Sequence, residues 1–288
     1  MNMRKGWSVA LGLVLLLASQ ATFAGSARAV RKQAEASMLV TGRIQVDAEG
    51  RVTTHSLDQP DKLPAGVVTL IGKAVPTWVF KPTLVDGRPV RVATGMRIRV
   101  VARKLDADNF EISLRSATFG APAGDSMAKK SSHMPPPDYP IAAARGGVAG
   151  TVYLLVRVDR DGKVSDAIAE QTNLKIVQDD NTMARWRKVF EDASLRQARK
   201  WTFGPSTLDP TANDVRVMRV PVMFSLEDSR RKTATYGGWE AYVPGPRQRN
   251  PWNGDDQEGI GFSPDTLAPG RAYLAGSGLK LLSSLSGT

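Results

Sequence analysis

Few residues of this 288-residue chain stand where their types and spacing could do covalent chemistry. Ser126 and Lys129, in "SMAK", have the Ser-x-x-Lys spacing that can pair a nucleophile with its base. They lie in a Gly-, Ser- and Pro-rich stretch, 120–137, where a nucleophile cannot be held in one geometry. His55 and His133 are the only histidines. Neither has a second His or a carboxylate at ligand spacing, so both read as solvated and no metal is expected. Asp47, Asp159 and Asp161 could supply paired carboxylates for acid–base work, but they sit in Asp-x-x-Gly stretches that read as turns. Gly-x-Ser-x-Gly, a phosphate-cradling loop and a zinc signature are all missing from the sequence. The expectation is a protein that is not an enzyme and carries no cofactor.

Binding is the remaining chemistry, and an aromatic motif frames it. "WVFKP" at 78–82 and "WTFGP" at 201–205 repeat Trp-x-Phe-x-Pro 123 residues apart. Upstream of Trp78, the residues Val67, Leu70, Ile71, Ala74 and Val75 recur in steps of 3 and 4, the stripe of an amphipathic helix. Pro64 can open that helix and Pro76 stops it. The equivalent positions before Trp201 are Phe190, Ala193, Ser194, Gln197 and Ala198, with Ser194 and Gln197 weakening the stripe. Further upstream, "GRIQVDAEGRV" (42–52) resembles "YLLVRVDRDGKV" (153–164). Each is an alternating strand, an Asp-x-x-Gly turn, a basic residue and Val. Asp47 and Asp159 can bond N–H groups ahead of them, and Gly50 and Gly162 can take positive φ. Downstream, Met96, Ile98 and Val100 alternate with Arg97 and Arg99, and Val220, Val222, Phe224 and Leu226 share one face. Phe110, Ile112 and Leu114 suggest an added strand in the first unit. The pattern predicts a duplicated strand–turn–strand–helix–strand unit, with one face of each sheet under a helix and the other wet.

On that reading Trp78, Phe80, Pro82, Trp201, Phe203 and Pro205 form core closures. Ligand stacking is the other role open to the two tryptophans. Arg97, Arg99, Arg157 and Arg216 fall on the wet faces, where they could meet an acidic polymer.

Composition sets the limits. The chain is 42% hydrophobic and 23% charged, without cysteine, and its net charge is +11. Residues 1–24 resemble an export signal: Arg4 and Lys5, an apolar run over Val9–Ala18, then Ala24 as the cleavage residue, with Ala27 and Ala29 as alternatives. The run is shorter than the ~20 residues of a membrane-spanning helix. Removing residues 1–24 leaves +9, since Arg4 and Lys5 are the only charges there. Export to the periplasm follows, with membrane contact only if the segment is uncleaved. Nucleic acid is not expected as a partner, because the basic residues are spread along strands and not clustered. Residues 229–288 hold 10 Gly and 5 Pro, the composition of an irregular segment. Its aromatics Trp239, Tyr242, Trp252 and Phe262 leave docking on a domain surface open.

The second unit carries a resemblance. "DYPIAAARGGVAGTVYLLVRVDRDGKV" (138–164), with Tyr139-Pro140, Gly147 and Gly150, followed by Asp161-Gly162, Trp201, Phe203 and Pro205, resembles the C-terminal domain of the TonB family over 138–227. The first unit lacks the Tyr-Pro and double-Gly opening and resembles a degenerate copy. The implied fold is α+β: two small TonB-C-terminal-like domains, each a three- to four-stranded antiparallel sheet with helices on one face. The implied division is a signal peptide (1–24), a degenerate domain (25–119), a linker (120–137), a TonB-C-like domain (138–228) and a Gly/Pro-rich tail (229–288). The family couples an inner-membrane motor to outer-membrane receptors, and its C-terminal domain binds a receptor segment by strand addition. The implied partner is thus a protein or peptide, with an outer-membrane receptor segment as the family's example. The implied edge is the last strand, Val215–Leu226, with Val220 and Val222 in it and Arg216 and Arg219 as charged handles. Tyr139 and Pro140 either line the groove beside it or pack the short helix that follows. Two features depart from an energy transducer: the N-terminal apolar segment has no His, and "PPP" (135–137) replaces a long Pro-rich spacer.

Overall fold

The structure is a computed structural model. It describes residues 35–105, 109–120, 132–204, 215–226, 236–252 and 258–286. The segment 1–24 expected to be an export signal, Ser126–Lys129 and Pro205 lie outside them. The fold is α+β with antiparallel sheets. The first sheet contains β1 (Glu35–Val46), β2 (Val52–Leu57), β5 (Val92–Lys104), β6 (Phe110–Phe119) and β10 (Glu240–Tyr242), in the order β10-β1-β5-β6 with β2 also on β1. The second contains β7 (Gly150–Val158), β8 (Val164–Leu174), β9 (Arg216–Phe224) and β11 (Tyr273–Leu274), in the order β11-β9-β7-β8. A two-stranded ribbon, β3 (Thr83–Val85) and β4 (Arg88–Val90), projects beside the first sheet.

Helix α1 (Ala65–Ala74) follows β2 and buries Val67, Ile71 and Ala74. A 3-10 turn containing Pro76 ends it, since proline cannot donate to the next helical bond. Helix α2 (Ile141–Arg145) is a single short segment ahead of β7. Helix α3 (Asp180–Ala198) follows β8 and buries Met183, Phe190, Ala193, Ser194 and Ala198. Asp179 caps it by accepting the Thr182 N–H at 3.0 Å.

The recurrence of Asp-x-x-Gly and Trp-x-Phe has one geometric cause. Asp47 accepts the Arg51 N–H at 2.7 Å, and Asp159 accepts the Lys163 N–H at 2.8 Å. The turns place Gly50 at φ 85° and Gly162 at φ 79°. Phe80 N–H then donates to Gly50 O, and Phe203 N–H to Gly162 O, both at 2.7 Å. A Cβ on Gly50 or Gly162 would stand 2.0 or 1.9 Å from the carbonyl oxygen of Phe80 or Phe203. The segment leaving each helix therefore locks onto the hairpin turn, and only glycine permits the approach.

Each sheet has its own core. Trp78 and Phe80 pack edge-on with each other and with Phe119, beneath α1. Trp201 and Phe203 belong to the second core, where Phe190 stacks on Phe224 at 4.5 Å. Pro82, expected in the core, is exposed, because the chain turns outward into β3.

The tail corrects the expectation of wet outer faces. Val243 bridges Leu174, and β10 pairs with the start of β1. A 3-10 turn at Pro264–Thr266 is buried between the non-helical faces of the sheets. There Asp265 accepts from Ser116 Oγ at 3.0 Å and pairs with Arg99. Leu281 bridges Phe80, and the Trp78 indole N–H donates to Leu285 O at 3.1 Å. In the second unit the Trp201 indole donates instead to Pro135 O at 2.9 Å, from the segment preceding α2. The tail thus caps the first unit where an upstream segment caps the second. Apart from β10, β11 and the 3-10 turn at Pro264–Thr266 the described tail is irregular, and it docks at these points.

The candidate partner-binding edge

The edge implied by the resemblance is the outer side of β9. Its inner side pairs with β7 from Arg216 to Phe224. Main-chain groups alternate in direction along a strand, so every second residue of β9 points outward. Val217 O accepts the Ala275 N–H at 2.8 Å, and Pro221 O accepts the Gly270 N–H at 3.2 Å. Arg219 lies between them, opposite Tyr273 in β11. The outward set is therefore Val217, Arg219, Pro221 and Met223, and the chain's own tail takes the first three. Pro221 has no N–H to offer, which suits it to an edge. Met223, half exposed at 48%, is the outward position left uncovered by these bonds.

Arg219 is no exposed handle. Its side chain is 4% exposed and meets Glu170 at 2.7 and 3.2 Å. It also donates to Glu258 of the tail. Arg247 joins Glu170 at 2.8 Å, and the Phe262 ring lies 4.5 Å from the Arg219 guanidinium and 5.1 Å from that of Arg247. Burial alone would lower the Arg219 pKa, but the Glu170 and Glu258 carboxylates outweigh it and hold it above its ordinary value.

The other expected contacts also turn inward. Val220 and Val222 are buried against the helix-side core, with 3% and 7% exposure. Arg216 donates to Gly204 O at 2.6 Å. Tyr139 packs edge-on against Phe190 and Phe224 and donates to Val148 O at 2.5 Å, so it fastens α2 to the core. Pro140 is half-buried at the start of that helix. Burial raises the Tyr139 pKa. Arg97 lies against the Tyr273 ring at 5.8 Å and Arg99 is held by Asp265, so this basic face does not present itself to a polymer.

A cavity of about 410 Å³ between the sheets is lined by Tyr153, Asn173, Lys175, Met223, Tyr236 and Glu240, among others. Lys175 and Glu240 pair with each other at 2.8 Å. Burial, first, raises the Tyr153 pKa, which keeps the phenol protonated. Among the described residues no group of His, Cys, Asp and Glu could hold a metal, and no helix is long and apolar enough to cross a membrane. His55 lies in β2 opposite Ile44, and His133 pairs through its main chain with Thr202.

Sequence comparison matches the stretch that contains β7, β8, α3 and β9. Residues 135–226 match the model of the family described as Gram-negative bacterial TonB protein C-terminal. A TonB C-terminal domain is present. Protein TonB of Xanthomonas campestris pv. campestris strain B100, and Protein TonB of strain ATCC 33913 of the same pathovar, are each 37% identical to the chain over 103 residues. That alignment covers 36% of this chain and 40% of each relative, so the chain spans less than half the length of the relatives it matches. No solved structure matches the chain.

Sequence reasoning did not identify Glu170, Arg247, Glu258, Asp265 or Tyr273 as parts of this region. A carboxylate inside the strand run "AIAEQTNL" (167–174) was the available signal for Glu170. A Tyr-Leu pair between Ala residues was the available signal for β11.

Proposed function

We propose that this chain is an exported, non-catalytic envelope protein that binds a protein or peptide by strand addition at the β9 edge of its TonB C-terminal domain. In this reading the first unit is a second, degenerate copy of the same fold, completed by the tail. The single observation that carries it is the outer side of β9. It lies in a domain of a partner-binding family and already accepts an antiparallel strand through Val217, Arg219 and Pro221. Specificity would come from side chains flanking the added strand and affinity from the ladder. The similarity to relatives named Protein TonB supports a link to TonB-dependent transport.

The test is crosslinking in envelope extract. A photoreactive residue replaces Met223, the outward position left uncovered. A second bait adds Val217→Pro, which removes an outward N–H while sparing the β7 ladder. A discrete outer-membrane protein captured by the first bait and lost from the second, with circular dichroism unchanged, is the expected result. Equal capture by both baits would refute strand addition.

A further inference from the structure

The β9 edge is occupied from within, and the occupant specifies what could replace it. This inference rests on the reading above. β11 is two residues long, against nine in the β7–β9 ladder. Its presenting loop is folded by its own contacts: the Tyr273 hydroxyl bonds both the N–H (3.0 Å) and the C=O (3.3 Å) of Ala268. Leu274 lies opposite Met218 and packs on the second core. The tail also brings Glu258 to Arg219, and Glu258 accepts the Gly276 N–H at 3.2 Å, next to the strand. Undocking β11 would break the Gly276 bond that helps hold Glu258 against Arg219. It would also uncover an apolar surface beside Met218 and outward main-chain groups along the edge.

We propose that Gly270–Ala275 is a resident ligand of the β9 edge. The partner that displaces it is an extended peptide with an aliphatic side chain at the Leu274 position and a carboxylate for Arg219. A longer partner strand outcompetes the resident one by also reaching Met223, beyond Pro221.

The experiment uses the purified chain, its Ala275→Pro variant and a fluorescent peptide with the sequence of residues 268–278. Proline at 275 deletes the bond to Val217 O. Amide exchange at Arg219 should accelerate, while Val220, which faces β7, stays protected. The peptide should bind the variant at least about tenfold more tightly than the wild type, one hydrogen-bonded strand now having a vacant edge. A second peptide carrying Glu in place of Arg271 should bind the variant several-fold more tightly still, with the advantage shrinking as salt rises. Three results would overturn the proposal: an Arg219 amide that stays protected in the variant, an exposed edge that gains no peptide, or equal binding to both proteins. Equal binding of the two peptides would overturn the carboxylate requirement. If the peptide arm succeeds while crosslinking in envelope extract captures nothing, the resident ligand stands and the transport-linked partner falls.

Discussion

Leu281 and Leu282 are adjacent in the tail, yet only one should matter to stability. Leu281 is 1% exposed, bridges Phe80 and belongs to the first core; Leu282 is 54% exposed. Truncating Leu281 to Ala removes buried methyl groups beside the Trp78–Phe80–Phe119 cluster. The loss is the transfer free energy plus a cavity, about 2–5 kcal/mol. Leu282→Ala should stay within about 0.5 kcal/mol, as surface substitutions do. Urea unfolding followed by circular dichroism reads both, with unchanged m-values showing that the denatured states are comparable. In thermal melts the Leu281 change should lower Tm by roughly 4–20 °C, at about 2–4 °C per kcal/mol for a chain of this size class. If the two variants are equally stable, the tail does not complete the first core. The account of one segment serving both units then fails.

Other expectations test separate parts of the structure. Gly50→Ala and Gly162→Ala should each cost about 1–3 kcal/mol or more, because positive φ and a carbonyl at 2.0 or 1.9 Å leave no room for Cβ; denaturant midpoints report it. Arg219→Met should destabilise by about 3–5 kcal/mol by stranding buried Glu170, partly relieved by Arg247. Adding Glu170→Gln to that variant should restore part of the loss in the same assay. The Asp179 cap should be pH-dependent. Its bond to Thr182, the largest cause, lowers its pKa from 3.8, so the stabilisation is present above that value and lost as pH falls through the lower folded one. Asp179→Asn should therefore differ from wild type in acid-unfolding midpoint, with the difference vanishing at the lowest pH.

The long strands and the helices of the two units were legible because their signals are local. Alternation along 96–100 and 153–158, the stripe before Trp78 and the two Asp-x-x-Gly turns each constrain a few neighbouring residues. The two faces of each element then follow from periods of 2 and 3.6. That was enough for an α+β fold with antiparallel sheets and for the resemblance over 138–227. Pro82 was misplaced because a motif repeat says nothing of where the chain goes next.

What covers the sheets was decided only by the tertiary structure. The tail docks through main-chain groups and single side chains such as Val243, Phe262, Tyr273 and Leu281, which follow no period. The ion pairs joining Glu170, Arg219, Arg247 and Glu258 draw on positions up to 88 residues apart and need burial to form as they do. Residue types alone made Arg99 and Arg219 appear to be solvent-facing charges. The sequence by itself determined the long strands of the two units and their helix-facing apolar sides, but not the short strands β3, β4, β10 and β11. The folded chain determined which edge is occupied, because occupancy depends on where a distant segment returns, and neither spacing nor composition encodes that.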